Sequence, residues 1–188
     1  LAAPVNRASE SFGTKAFGSS ELNFGVHFIK NINDGLYGNA HSWISANGVG
    51  GNSDPKPFVG LNFGGTIDLK RIAWSRDNGD VAGDCCGGTL TDRALGVYTL
   101  QVTRAPNPGV NTPETGDPKT GWATVGAFNY KSDGPPFRSA LRHRFSLAQK
   151  AGGGIPATGI RLLVSNGFTA IDEIEINPYV ANEDRKST

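Results

Sequence analysis

The chain has almost no excess of charge of either sign: 18 lysines and arginines stand against 17 aspartates and glutamates. So weak a field offers no long-range reason to bind DNA or an anionic membrane, and any partner has to be recognised by local chemistry. Long apolar runs are missing too. Nothing approaches the roughly 20 residues that a helical membrane span requires, and no basic-then-apolar leader stands at Leu1. The stretch is therefore expected to be a mature protein or a module of something longer. Catalytic signatures are absent: no Ser-His-Asp order, H-E-x-x-H, Walker loop or strand-to-helix G-x-G-x-x-G occurs, and His27, His41 and His143 lie far apart. The only cysteines are Cys85 and Cys86. An adjacent pair with no further Cys and no near His cannot make a zinc site, and C-x-x-C redox chemistry needs a different spacing.

Turn-forming residues, by contrast, are abundant. Twenty-six glycines and 11 prolines are spread along 188 residues, a distribution that many short strands joined by tight turns would produce. The length suits one domain, taken as residues 1–180, with "ANEDRKST" at 181–188 as a polar tail or linker. Alternation supports strands. Val59, Leu61 and Phe63 share a face, as do Tyr98, Leu100 and Val102, and Ile160, Leu162 and Val164. In "AIDEIEI", Ile174 and Ile176 point away from Glu173 and Glu175. "RIAWS" and "WATVGAF" are further strands, and Trp122, Phe128 and Tyr130 alternate as one face. "SALRHRFSLAQKA" can be drawn as a helix or a strand; alternation of Leu141, His143, Phe145 and Leu147 favours the strand. With no helix long enough to cover a parallel sheet, the expected fold is all-β, an antiparallel sandwich with long loops at 77–92 and 104–119.

One loop stands out. "NINDGLYGNAHSWIS", residues 31–45, crowds Asp34, Asn31, Asn33 and Asn39 around Gly35 and Gly38. Calcium takes six to eight oxygens, many of them carbonyls of a tightly bent loop, so the stretch reads either as a calcium loop or simply as an Asn-Asp-Gly turn.

That loop, followed by "PFVGLNFGGTIDLKRIAWSRDN", "GVYTLQVT" and "GIRLLVSNGFTAIDEIEI", resembles the discoidin or coagulation-factor type C domain of the galactose-binding-like superfamily, whose fold bacterial carbohydrate-binding modules share. The resemblance spans about residues 30–177. It implies a jelly-roll sandwich with a structural calcium where the D-G loop meets the last strand. Asp34 matches the carboxylate ligand of that loop and Glu173 the Glu of A-I-x-E-I-E; oxygens near Asn31, Tyr37, His41 and Asp172 would complete the shell, with Ser42 possible. His41 stands where the family often has Thr, and imidazole is a poor calcium ligand, so only its carbonyl would serve. Trp43 matches a core Trp. Such modules are parts of larger secreted or cell-surface bacterial proteins.

A glycan site needs an aromatic face for the sugar ring and planar polar groups for its hydroxyls. "WSRDNGDVAGDCCGGTLTDR" offers Trp74, Arg76, Asp77, Asn78, Asp92 and Arg93 for this, against the alternatives of a closing Arg-Asp ion pair and a Trp turned into the core. Cys85 and Cys86 could close into a vicinal disulfide beside the ligand, with Gly87 and Gly88 supplying backbone freedom, or remain two loop thiols. Arg138, Arg142 and Arg144 could meet an acidic polysaccharide or line a solvated face. Three functions stay open: a non-catalytic, calcium-stabilised glycan-binding module; an adhesion domain for a protein or lipid surface; and a polysaccharide-active enzyme using two of Asp77, Asp80, Asp84, Asp92, Glu173 and Glu175.

Overall fold

The computed structural model describes residues 6–22, 25–46, 53–75, 93–94, 96–130, 143–147, 153–165 and 167–177. Ten strands run through them: β1 (Lys15–Gly18), β2 (Trp43–Ile44), β3 (Phe58–Leu69), β4 (Arg71–Ser75), β5 (Gly96–Thr103), β6 (Ala123–Tyr130), β7 (His143–Ser146), β8 (Ile155–Val164), β9 (Ala170–Ile171) and β10 (Glu173–Ile176). Helical structure among the described residues is confined to three 3₁₀ turns, Glu10–Phe12, Ile29–Asn33 and Asn39–His41. A five-stranded sheet in the order β1-β3-β8-β5-β6 faces a three-stranded sheet, β10-β4-β7, and β2 pairs with β9. Every one of these pairings is antiparallel.

The alternating residues make the core as anticipated. Val59, Leu61, Tyr98, Leu100, Val102, Ile160, Leu162, Ile174 and Ile176 are all buried in one cluster. At its centre Trp74 of β4 stacks on Phe145 of β7 at 4.8 Å between centroids, and lies 5.2 Å from Tyr98 of β5 and 5.7 Å from Phe128 of β6. Rings from both sheets thus meet, and Phe145 settles the helix-or-strand ambiguity: as a strand, β7 delivers it to the core.

One alternation misleads. Trp122 and Phe128 do not share a face, because β5 and β6 slip register between Leu100 and Gln101: Leu100 pairs with Gly126 but Gln101 with Thr124, leaving Val125 as an extra residue. A one-residue bulge reverses the parity of everything beyond it. Phe128 therefore points into the core, whereas Trp122 is buried on the outer face, its ring 5.9 Å from Phe17.

That outer face is covered by the 104–119 loop, and Arg161 of β8 fastens it. Its Nε donates to Gln101 Oε1 at 2.6 Å and its Nη2 meets Glu114 Oε2 at 3.0 Å. The guanidinium carbon also lies 5.0 Å from the ring centres of Phe58 and of Trp122. Arg161→Ala is expected to lower stability by about 2–3 kcal/mol, through lost stacking and a Gln101 oxygen without its donor. Arg161→Lys should not restore it in urea denaturation, since an ammonium lacks the planar fork.

Candidate cation and ligand site

The D-G loop reaches the last strand by a set of acceptor contacts. Asp34 is in the right-handed helical region and Gly35 in the left-handed one (φ +82°), and Asp34 Oδ1 closes the turn by accepting the Leu36 N–H at 2.8 Å. Gly35 N–H donates to Glu173 Oε2 at 3.0 Å. Gly38, at φ +117°, donates its N–H to Asp172 Oδ2 at 2.9 Å, and the Tyr37 hydroxyl donates to Glu175 Oε1 at 2.8 Å. Both glycines sit where L side chains are strained, so the two bends read from sequence are the points at which the loop docks. Asn31 and Asn33 brace it from within: the Asn31 amide donates to the carbonyls of Val26 and Ser42, that of Asn33 to Ala8 and Thr14. Ser42 is fully buried, its hydroxyl reaching the Gly38 carbonyl at 3.4 Å. Trp43 packs in the core and donates its Nε1–H to the Ser20 carbonyl at 2.8 Å.

The electrostatics of the junction are unbalanced. Asp172 and Glu173 are buried, 0 % and 2 % exposed. Burial is the main reason the Glu173 carboxyl is pushed up to about 9, with the neighbouring charges of Asp34, Glu175 and Asp172 adding to it against the Gly35 N–H. Burial also pushes the Asp34 carboxyl up, while the Leu36 N–H, His41 and Lys30 pull it down. Glu173 is met by two neutral donors, Gly35 N–H and the Asn6 amide at 3.3 Å, and by no cation among the described residues. A buried carboxyl that keeps its proton for want of a compensating charge, with further oxygens around it, suits a hard cation such as calcium in the proton's place. No three acidic, histidine or cysteine side chains among the described residues close on one point. An ion here would accordingly draw on two carboxylates at most, Asp34 and Glu173, and otherwise on carbonyls.

The expected glycan loop fares differently. Trp74 is 3 % exposed and stacked in the core, so it presents no face to a sugar and leaves the candidate set; aromatic neighbours on three strands gain more from its indole than solvent would. Arg93 is described: its backbone carbonyl accepts from Ala170 N–H at 2.9 Å and its guanidinium lies 4.1 Å above the Phe168 ring. Arg76, Asp77, Asn78, Cys85, Cys86 and Asp92, with the vicinal disulfide, lie outside the described residues, as do Arg138 and Arg142 and the 181–188 tail.

Two contributors escaped the sequence reading. Asn6 donates to Glu173 and accepts from the Ile176 N–H at 2.9 Å, joining the first described residue to the final strand; nothing local in the sequence signals a partner 167 positions away. Glu175 had a signal. Alternation places it on the face of Glu173, and that face is buried under the loop instead of wet.

No family model matches the sequence, and no curated protein does. Solved structures match over most of its length. CpGH89CBM32-5 from Clostridium perfringens, in complex with GalNAc-β-1,3-galactose, aligns with 93 % of this chain and 99 % of its own at 13 % identity and a TM-score of 0.60. Chitosan-binding module 2 in complex with chitotriose, from a chitosanase/glucanase of Paenibacillus sp. IK-5, aligns over 91 % and 98 % at 17 % identity and 0.55. A fucolectin from striped bass, Morone saxatilis, aligns with 95 % of this chain and 50 % of its own at 15 % identity and 0.58. This chain therefore has the galactose-binding-like jelly-roll β-sandwich fold that these carbohydrate-binding modules share.

Proposed function

We propose that the domain is a non-catalytic carbohydrate-binding module, stabilised by calcium and tethering a larger secreted or cell-surface protein to a glycan. The observation that carries glycan binding is the fold held in common with modules whose structures contain saccharides. Asp34 and Glu173 would hold the cation by side chain, with carbonyls near Asn31, Tyr37, His41, Ser42 and Asp172 around it. A cation there would take the place of the proton that Glu173 keeps when only neutral donors surround it, and would add to folding free energy because the site exists only when loop and strand meet.

The rim loop that follows β4 is the proposed sugar site, with Arg76, Asp77, Asn78, Asp92 and Arg93 as polar contacts and Cys85–Cys86 as a flat sulfur surface. Of the six carboxylates that hydrolysis could draw on, Glu173 and Glu175 accept hydrogen bonds from Gly35 N–H and the Tyr37 hydroxyl, which favours binding over catalysis by that pair. A glycan array with and without calcium tests the reading. Arg76→Ala is expected to remove a confirmed signal by at least about tenfold, the cost of one charge-assisted hydrogen bond, with the melting temperature unchanged. Undiminished binding moves the site elsewhere.

A second reading, adhesion to a protein or lipid surface, is favoured by Val26, Phe28 and Leu36, which are 45 %, 42 % and 49 % exposed on the first loop. Sedimentation with anionic vesicles in the presence of calcium, lost in Phe28→Ser, would support it.

A further inference from the structure

The register of β4 and β10 sets two ends apart. Ser75, from which the proposed rim loop departs, pairs with Glu173, whereas Ile72 pairs with Ile176. At the Ile176 end the surface holds a groove of about 420 Å³ between the Glu10–Phe12 turn and an outward bend of β3. The bend arises because five steps along β3 (67 − 62) pass against two along β8 (159 − 157), so residues 63–66 leave the ladder. Asn62 Oδ1 accepts the Gly64 N–H at 2.9 Å and fixes the bend. A second groove of about 400 Å³ shares Arg7, Thr66 and Ile67 with the first and extends it to Lys70 and Arg71.

Three features of this continuous groove point to one ligand chemistry. Among the described residues its lining carries Arg7, Lys70 and Arg71 against one carboxylate, Asp68, which pairs with Lys70 at 3.6 Å, so the lining is basic on a chain whose total charge is only +1. Its one exposed ring among the described residues, Phe12, is 48 % accessible with the Arg7 guanidinium 5.5 Å from its centre, a pairing of apolar face and planar donors of the kind sugar rings use. Its cations stand on anchored backbone. Arg7 N–H donates to the Ile176 carbonyl at 3.1 Å and the Arg7 carbonyl accepts from Thr14 Oγ1 at 2.9 Å; Asn177 Oδ1 accepts the N–H groups of Lys70 and Arg71 at 2.7 and 3.0 Å. The volume lies in the range of small-ligand sites.

We infer that this groove is a second saccharide site, selective for sugars carrying a carboxylate or sulfate. Arg7 and Arg71 would take the anionic group through their planar donors, while Phe12 meets the apolar side of the ring. Because it lies at the other end of β4 and β10 from the rim loop, it does not depend on the site proposed above.

The test is an amide NMR titration of the full chain with three probes: a galacturonate oligosaccharide, a sulfated galactan oligosaccharide and a neutral galactose oligosaccharide. Saturable shifts at Arg7, Gly64, Gly65 and Thr66 with one or both acidic probes, absent with the neutral one and weakened by salt, are expected, and the two acidic arms tell carboxylate from sulfate. Arg7→Gln and Phe12→Ala, both at exposed positions, should each weaken binding about tenfold or more. Gly65→Trp should abolish it, since Gly65 lines the groove at unstrained φ and a Cβ there meets nothing within 4 Å, so the fold tolerates the bulk that obstructs the ligand. Arg76→Ala should leave it unchanged, so the failure of either site is seen separately. Equal shifts with the neutral probe, no shifts with either acidic one, or full binding by folded Gly65→Trp would overturn the inference.

Discussion

Calcium added to the metal-free domain at pH 8 is expected to raise its melting temperature by about 5–10 °C, and Glu173→Gln to remove most of that rise. A ligand at 100 times its dissociation constant contributes about 2.7 kcal/mol, and a domain of this size gains about 2–4 °C per kcal/mol. The amide oxygen that Glu173→Gln introduces can still accept the Gly35 N–H, which Glu173 accepts at 3.0 Å, so the substitution removes charge and spares the docking geometry. The pH dependence follows from the same carboxyl. Folding raises it to about 9 from an ordinary 4.5, so the native state keeps a proton that the unfolded chain releases. Its contribution is fully present below pH 4.5 and is lost as pH climbs toward 9. The metal-free protein should therefore be more stable at pH 5 than at pH 8, and Glu173→Gln should flatten that slope. Calcium competes with the proton for Glu173, so the rise on adding it should grow from pH 5 to pH 8. Identical calorimetric melts with chelator and with millimolar calcium at pH 8 would remove the cation from the proposal, whatever the glycan array reports.

Trp74→Ala should cost about 3–5 kcal/mol, the range for truncating a large buried aromatic. That is a large share of the roughly 5–15 kcal/mol that holds a domain together, so the variant should be partly unfolded at 37 °C. The loss goes beyond one side chain: Tyr98, Phe128 and Phe145 all lose a ring partner within 5.7 Å. Trp74→Phe keeps an aromatic face and should recover most of the stability in a denaturant titration. Glycan affinity per folded molecule should be the same in Trp74→Phe as in the parent. Were Trp74→Ala to melt normally and lose only the glycan, the core assignment would be wrong and the indole would return to the binding site.

How far the sequence can be read varies by residue. Period two alone places Leu61, Leu100 and Leu162 on one buried face, because an unbroken strand has no freedom to do otherwise. Trp122 and Phe128 obey the same rule on paper and break it in space, since the bulge at Val125 is chosen by pairing with β5, and nothing near Gly126 declares it. The D-G loop is legible in a different way: Gly35 and Gly38 mark bends by their lack of Cβ, and both prove to have positive φ. Of the partners that receive the loop, Glu173 is visible through a family resemblance and Asn6 is not visible at all.

By itself, then, the sequence determined the class of fold, the strands with their inward residues, and the loop that must bend; each is a matter of neighbouring residues and backbone sterics. Only the tertiary structure decided which carboxylates gather beneath that loop, that Trp74 belongs to the core, and that Arg7, Phe12 and Arg71 share a groove. Those outcomes depend on how strands far apart in the chain pair and in what register, and a shift of one residue exchanges the inside for the outside.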